Sequence, residues 1–274
     1  MGILAGAGAL PGEAARRIAE SGTSPFIVGF EGLTDSRQSS GLHWTRLGQL
    51  RALVRDLEEA RVERLLVLGK FPRTLLRQDE AKQALVLDPD EDGLALLRTI
   101  GSRDDDGLLA VVGSWLEDRG FVVCRQDELL TGMLAEAAVL GRHAPHAARG
   151  ADLALGCRAV RAVGRAGIGQ AVAVKDGCVI AVEAVEGTDA MIARAGRLAG
   201  PGLAIVKATR PGQDRRFDLP TIGPATIEAM VAARADVLLV EARSTLIVDR
   251  ESTLEAADRA GIAIEGRRLD EATA

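Results

Sequence analysis

The chain has 274 residues, 47% of them hydrophobic, with 34 Lys and Arg against 39 Asp and Glu and a net charge of −5. That length is enough for about two domains, each with its own core, and mild acidity argues against nonspecific nucleic-acid binding, where Lys and Arg must displace counterions. No apolar run approaches the roughly 20 residues a membrane-spanning helix needs. Met1 leads straight into Gly2-Ile3-Leu4-Ala5 without a basic segment, so no secretion signal is expected. Cys124, Cys157 and Cys178 are too far apart for a CxxC site and read as three small buried hydrophobes in a reducing cytoplasm.

The first half alternates strand-like and helix-like stretches. Gly2 to Ala5 forms a short apolar strand, and the turn Gly6-Ala7-Gly8-Ala9-Leu10-Pro11-Gly12 follows. A helix is expected over 13–20 and a strand over 26–30. The stretch 50–60 carries Leu50, Leu53, Val54 and Leu57 at the helical period. A buried strand over 65–68 ends at Gly69-Lys70; a helix over 108–119 and a strand over 121–124 come next. The stretch 129–140 reads as a further helix, and 141–150, with Pro145, His143 and His146, as a connection.

In the second half, strands over 170–174 and 178–184 flank Lys175-Asp176-Gly177, whose Asp-Gly pair favours a tight hairpin. A helix over 191–198, a strand over 203–206, a helix over 226–234 and a strand over 237–240 follow, and 252–260 with 262–264 closes the chain. Strand–helix–strand repetition implies an α/β fold with parallel pairing and right-handed crossovers. The expected organisation is a Rossmann-like parallel sheet over 1–130, a linker region over 131–150 and an α/β catalytic domain over 151–274, with a cleft between the two domains.

Charges placed just past strand ends mark where chemistry is expected. Glu183 and Lys207 each close a strongly apolar strand, where an unpaired charge is costly. Thr188 caps the helix after Glu186-Gly187, with Asp189 in its first turn. Asp214 is a loop acid of the kind that holds Mg²⁺. Arg210, Arg215 and Arg216 either clamp phosphates or sit in water. The Gly6–Gly8 turn offers N–H groups to a phosphate or is simply a tight turn, and Pro11 stands where a dinucleotide fingerprint has its third glycine. Glu31 falls near the position of a ribose-binding acid. Asp104, Asp105 and Asp106 either cap a helix or reach a metal or sugar hydroxyl. His143 and His146 read as connector residues, because no second cluster supplies zinc ligands.

Taken together, Ile3 to Pro11, Gly69-Lys70, Gly169-Gln170, Val182-Glu183-Ala184-Val185-Glu186-Gly187-Thr188-Asp189, Lys207, Gln213-Asp214 and Asp218-Leu219-Pro220-Thr221-Ile222-Gly223 resemble the UDP-2,3-diacylglucosamine pyrophosphatase family of the lipid A pathway. The resemblance implies Mg²⁺-dependent hydrolysis of a UDP-linked diacylated glucosamine to UMP and 2,3-diacylglucosamine 1-phosphate. It implies a cytoplasmic enzyme, peripheral on the inner membrane and homodimeric, with no transmembrane segment. Its catalytic residues would be Glu183, Lys207 and Asp214, with Asp214 on the metal. Its substrate contacts would be Gly6, Gly8, Leu10, Pro11, Gly69, Lys70, Gly169, Gln170, Glu186, Gly187, Thr188, Asp189, Thr209 and Gln213.

One position departs from the resemblance: Ala225 stands where the family carries Asp, so a weakly active or inactive substrate-binding variant is expected. Leu129, Leu130, Met133, Leu134 and Val139 are either core or the lining of an acyl chamber. Two other readings stay open at this point, an NAD(P)-dependent oxidoreductase built on the first glycine turn and Glu31, and a non-catalytic lipid or nucleotide carrier.

Overall fold

The computed structural model describes residues 1–37, 41–71, 87–100 and 105–269. Asp104 and the side chains of Asp105 and Asp106 lie outside that description. The chain forms two compact units, Met1–Leu129 with Asp214–Asp218, and Leu130–Gln213 with Leu219–Ala274. Among the described residues no helix is long and apolar enough to cross a membrane.

The first unit is built on β1 (Gly2–Ala5), β2 (Phe26–Phe30), β3 (His43–Thr45), β4 (Arg64–Leu68) and β5 (Val122–Val123), all parallel, in the order β3-β2-β1-β4-β5. Its described helices are α1 (Leu10–Glu20), α2 (Leu50–Glu59), α3 (Glu91–Ile100), α4 (Asp105–Glu117) and the single turn α5 (Gln126–Leu129). Pro11 begins α1, where its missing N–H leaves nothing unsatisfied. Leu4, Val28, Leu65 and Val67 from the sheet pack with Leu53, Leu57 and Leu116 from the helices. Phe217, supplied by the returning segment Asp214–Asp218, is buried in the same cluster.

The second unit begins with α6 (Gly150–Arg165), a helix the sequence reading did not anticipate. Its sheet runs β12-β10-β8-β6-β7, from β6 (Ala171–Lys175), β7 (Cys178–Val182), β8 (Leu203–Lys207), β10 (Ala235–Glu241) and β12 (Ala263–Arg267). Strands β8, β10 and β12 are parallel, and β6 is antiparallel to both its neighbours. The β6–β7 hairpin turns at Asp176 (φ 49°) and Gly177 (φ 74°), the two left-handed positions that the Asp-Gly pair suits. Helices α7 (Thr188–Ala199), α8 (Pro224–Ala233) and α9 (Arg250–Ala260) pack on one face, and a parallel pair, β9 (Thr221–Ile222) and β11 (Leu246–Ile247), lies outside the main sheet.

Strand alternation sorts this core. Leu203 and Ile205 of β8 join Met191, Ile192 and Ile227 on the α7–α8 face, whereas Ala204 and Val206 join Leu153, Cys157 and Val160 of α6. On β10, Leu238 and Val240 face α7–α8, and Val237 and Leu239 face α6.

The helix expected over 129–140 does not form. A short 3₁₀ turn at Thr131–Met133 gives way to extended chain. Its backbone groups find partners far away in sequence: Ala135 N–H donates to Thr245 O at 2.9 Å, Arg243 N–H to Ala135 O at 2.8 Å and Leu140 N–H to Ile264 O at 2.9 Å. Non-local pairing satisfies the same groups that a helix would. Leu130 and Met133 are buried, as the core reading has it, while Val139 is largely exposed. Cys124 and Cys157 are buried as expected, but Cys178 is exposed because β7 is the sheet edge.

Candidate active site

Sheet register assembles the polar centre of the second unit. Val182 of β7 pairs with Val172 of β6, so the next residue, Glu183, comes opposite Ala171, whose carbonyl accepts from Glu183 N–H at 2.9 Å. Ala171 in turn pairs with Lys207. Antiparallel partners share a face, so Glu183 and Lys207 lie in one row. The β8 alternation independently turns Lys207, like Leu203 and Ile205, toward α7 and α8.

Both side chains are buried, Lys207 at 5% and Glu183 at 6% exposure. A buried ammonium is tolerated only with partners, and Lys207 Nζ donates to Thr188 Oγ1 at 2.9 Å and to Thr221 O at 2.9 Å. The Thr188 hydroxyl in turn donates to Glu183 Oε1 at 3.0 Å. Glu183 Oε2 is buried with no hydrogen-bond partner. Thr188 opens α7 and Thr226 lies in the first turn of α8, with Thr226 Oγ1 donating weakly to Asp189 Oδ1 at 3.4 Å. Two helix N-termini and an ammonium thus gather at the end of β8, and each favours an anion.

Gly169 makes the row possible. A Cβ at this position would stand 2.1 Å from Glu183 O, so only glycine lets the approach to β6 lie against Glu183. Gln170 follows, its carbonyl accepting from Ala208 N–H at 3.0 Å and its Oε1 buried without a partner.

The other expected site residues are distributed as follows. Glu186 is tied to Arg194 at 2.5 Å and to Ala184 N–H at 3.1 Å, and the Arg194 bond holds its carboxyl below the usual value. Gly187 is the N-terminal cap of α7 in left-handed backbone, φ 84°. Gln213 Oε1 accepts from Arg210 N–H at 3.1 Å. Ala225 is exposed in the first turn of α8. Thr209 is buried, and both its donors go to Glu241. Sequence reasoning missed Glu241 and Arg161, although Glu241 carries the signal that marks Glu183 and Lys207, a charge closing an apolar strand.

In the first unit Gly6, Gly8, Leu10, Pro11, Gly69 and Lys70 occupy two adjoining strand ends. Gly6 N–H donates to Leu68 O at 2.7 Å, and Ala7 and Lys70 exchange both backbone bonds at 2.9 and 2.8 Å. Gly69 has φ +87°, and a Cβ there would meet Ala7 O at 2.7 Å. The Gly6 and Ala7 amides are therefore committed to the chain itself. Glu31 pairs with Arg46 at 3.0 Å on the surface, and the dinucleotide reading loses both of its supports.

Asp214 lies in the first unit, where Arg216 engages both its oxygens, at 3.0 Å and 2.6 Å on Oδ2 and 3.1 Å on Oδ1. Burial pushes its carboxyl up, but the Arg216 bonds outweigh that and leave it below the ordinary value. Arg216 also bonds Glu117 at 2.5 Å, and Arg215 bonds Asp127 at 2.8 Å. Both arginines thus pair with carboxylates of the first unit, and Arg215 keeps 36% of its side chain exposed. His143 meets Asp258 O at 3.1 Å, and His146 Nδ1 accepts from Ala148 N–H at 3.2 Å, both connector roles. Among the described residues no three or more His, Cys, Asp or Glu side chains converge to hold a metal ion.

The LpxI N-terminal domain model matches residues 1–133 and the LpxI C-terminal domain model residues 136–265. A protein of Caulobacter vibrioides named UDP-2,3-diacylglucosamine pyrophosphatase LpxI is 32% identical over 279 aligned residues, covering 97% of this chain and 96% of that protein. The chain belongs to the LpxI family, along its whole two-unit length.

Proposed function

We infer that this chain hydrolyses the pyrophosphate of UDP-2,3-diacylglucosamine, releasing UMP and 2,3-diacylglucosamine 1-phosphate in lipid A synthesis. The observation that carries the reading is buried Lys207, held by Thr188 and Thr221 between the first turns of α7 and α8. Phosphoryl transfer to water needs charge stabilisation and an in-line nucleophile more than covalent chemistry. Lys207 meets the first need. Glu183 fixes the Thr188 hydroxyl so that its lone pair faces the ammonium. Asp189 is half-buried beside both helix starts and is our candidate to orient the attacking water.

Mg²⁺ typically takes one or two carboxylates together with water and substrate phosphates. Asp189 suits such a donor set better than Asp214, whose oxygens Arg216 holds. The ion would supply further charge neutralisation at the diphosphate. Ala225 offers no carboxylate at its exposed place on α8, so we propose slow turnover with substrate binding retained. Ala225→Asp should then raise the rate, and equal rates in the two proteins would discard that part. Two acyl chains on the substrate support work at the cytoplasmic membrane surface and a homodimer that shields apolar area; light scattering and vesicle sedimentation test these. The central test is release of UMP from UDP-2,3-diacylglucosamine, followed by chromatography. Absence of both product and substrate binding would refute the assignment.

A further inference from the structure

We propose that Glu241, gripped by Arg161, is a positioning residue that sets the loop leaving β8. Strand alternation turns Glu241, like Val237 and Leu239, toward α6, the sheet face opposite Lys207. There Arg161 of α6 donates through Nη2 to Glu241 Oε1 at 2.7 Å and through Nη1 to Thr209 O at 3.3 Å. Arg161 Nη2 also bonds Leu269 O. Glu241 Oε2 accepts the Thr209 amide at 2.9 Å and the Thr209 hydroxyl as well. Arg161, Glu241 and Thr209 close a ring in which Thr209 is held by amide, hydroxyl and carbonyl together, with Glu241 8% and Thr209 7% exposed.

The chemistry of this ring revises the role of Thr209. Both of its donors point at Glu241, so neither is offered to a phosphate. Thr209 acts by fixing the chain two residues past Lys207, and with it the turn in which Arg210 and Gln213 exchange bonds at 3.1 and 3.0 Å. A carboxylate suits this point because one oxygen accepts two donors while the other faces a guanidinium. Glu241 and Arg161 touch no reacting atom. Their effect on the substrate rests on the diphosphate reading above, whereas their effect on the loop does not.

The test separates anchoring from mere stability. Replacing both buried charges together, Glu241→Met with Arg161→Met, leaves no unpaired ion, and such swaps are often neutral for stability. Buried Thr209 nevertheless loses its acceptor, so global stability should fall by about 5- to 150-fold in the unfolding equilibrium, or about 1–3 kcal/mol. The amides of Thr209, Arg210, Gly212 and Gln213 should exchange with deuterium about tenfold faster relative to amides elsewhere in the second unit, and substrate should bind about tenfold more weakly. Glu241→Gln keeps an acceptor for Thr209 and should lose less than half of that effect. Thr209→Val, which removes one donor only, should speed exchange about threefold and serves if the double variant does not fold. Parent-like exchange in the double variant, or in Thr209→Val, would overturn the anchor. Parent protein that neither binds the substrate nor releases UMP would retire the diphosphate reading and leave the exchange result to decide the anchor alone.

Discussion

The two units each bring a glycine and a lysine together at neighbouring strand ends, parallel in the first and antiparallel in the second, yet they treat polar groups in opposite ways. At the ends of β1 and β4, main-chain groups satisfy one another across Ala7 and Lys70, and the Lys70 side chain is exposed. At the end of β8 the lysine is buried, and its bonds come from a hydroxyl and a carbonyl on other elements. Burying a charge costs several kcal/mol unless it is paired. On the proposed function the chemistry lies in the second unit, because the fold carries Lys207 and Glu183 into the interior at this strand end and leaves Lys70 exposed at the other.

The largest effect should come from exchanging the lysines one at a time. If Lys207 stabilises the developing phosphate charge as proposed, Lys207→Ala should lower kcat/KM for UMP release by about 10²–10³, the loss typical of one such donor. Lys70→Ala should cost less than about tenfold, because an exposed cation contributes little beyond steering. Equal losses would break the contrast between the units.

Next in size is Gly169→Ala. The new methyl would meet Glu183 O at 2.1 Å, and that oxygen belongs to backbone pinned by the β6–β7 ladder. Overpacking of this kind costs about 1–3 kcal/mol, read as a drop in Tm together with slower UMP release. An unchanged Tm would mean that the Glu183 row is softer than its register implies. Thr188→Val sharpens the same point, because valine keeps the shape and severs the hydroxyl from both Lys207 and Glu183. A loss of about 10- to 100-fold in kcat is expected, matching about 1.5–3 kcal/mol for a bond to a charged group, with Thr188→Ser near the parent. A Thr188→Val enzyme as fast as the parent would remove the hydroxyl from the mechanism.

These residues differ in how far the sequence announced them. Glu183 and Lys207 stand out because a charge closing a run of Val, Ile and Ala has no cheap place to go. Their meeting was only half legible: the Asp176-Gly177 turn announces the β6–β7 reversal, but the antiparallel pairing of β6 with β8 is non-local and no local pattern encodes it. Glu241 carried the same mark in Asp-Val-Leu-Leu-Val-Glu, but its partner Arg161 sits on α6, whose glycines at 150, 156 and 164 blur the helical period. The stretch 129–140 misled in the opposite sense. Its leucines and alanines favour a helix, and tertiary pairing with Thr245 and Ile264 wins. Asp214 reads as a metal ligand because its neighbours in sequence are loop formers; what the sequence does not announce is that Arg216, two residues on, bonds both its oxygens.

The smallest expected effect probes the first unit by pH. Burial raises the carboxyls of Asp127 and Asp214, yet the bonds from Arg125 and Arg215 to the one, and from Arg216 to the other, outweigh it and hold both below the ordinary value. A carboxyl depressed in the folded state contributes stability that is present above its unfolded value, about 3.9, and lost as pH falls through the folded value. Arg216→Met removes the partner of Asp214, so its folded pKa returns upward and the contribution disappears at neutral pH. Because the pair is partly exposed, the change should stay near or below about 1 kcal/mol. Acid unfolding followed by circular dichroism should begin at higher pH in Arg216→Met than in the parent, while kcat for UMP release moves less than about twofold. A collapse of kcat with no change in acid stability would transfer Arg216 and Asp214 from the scaffold to the reaction, and the division of labour between the two strand ends would fall with it.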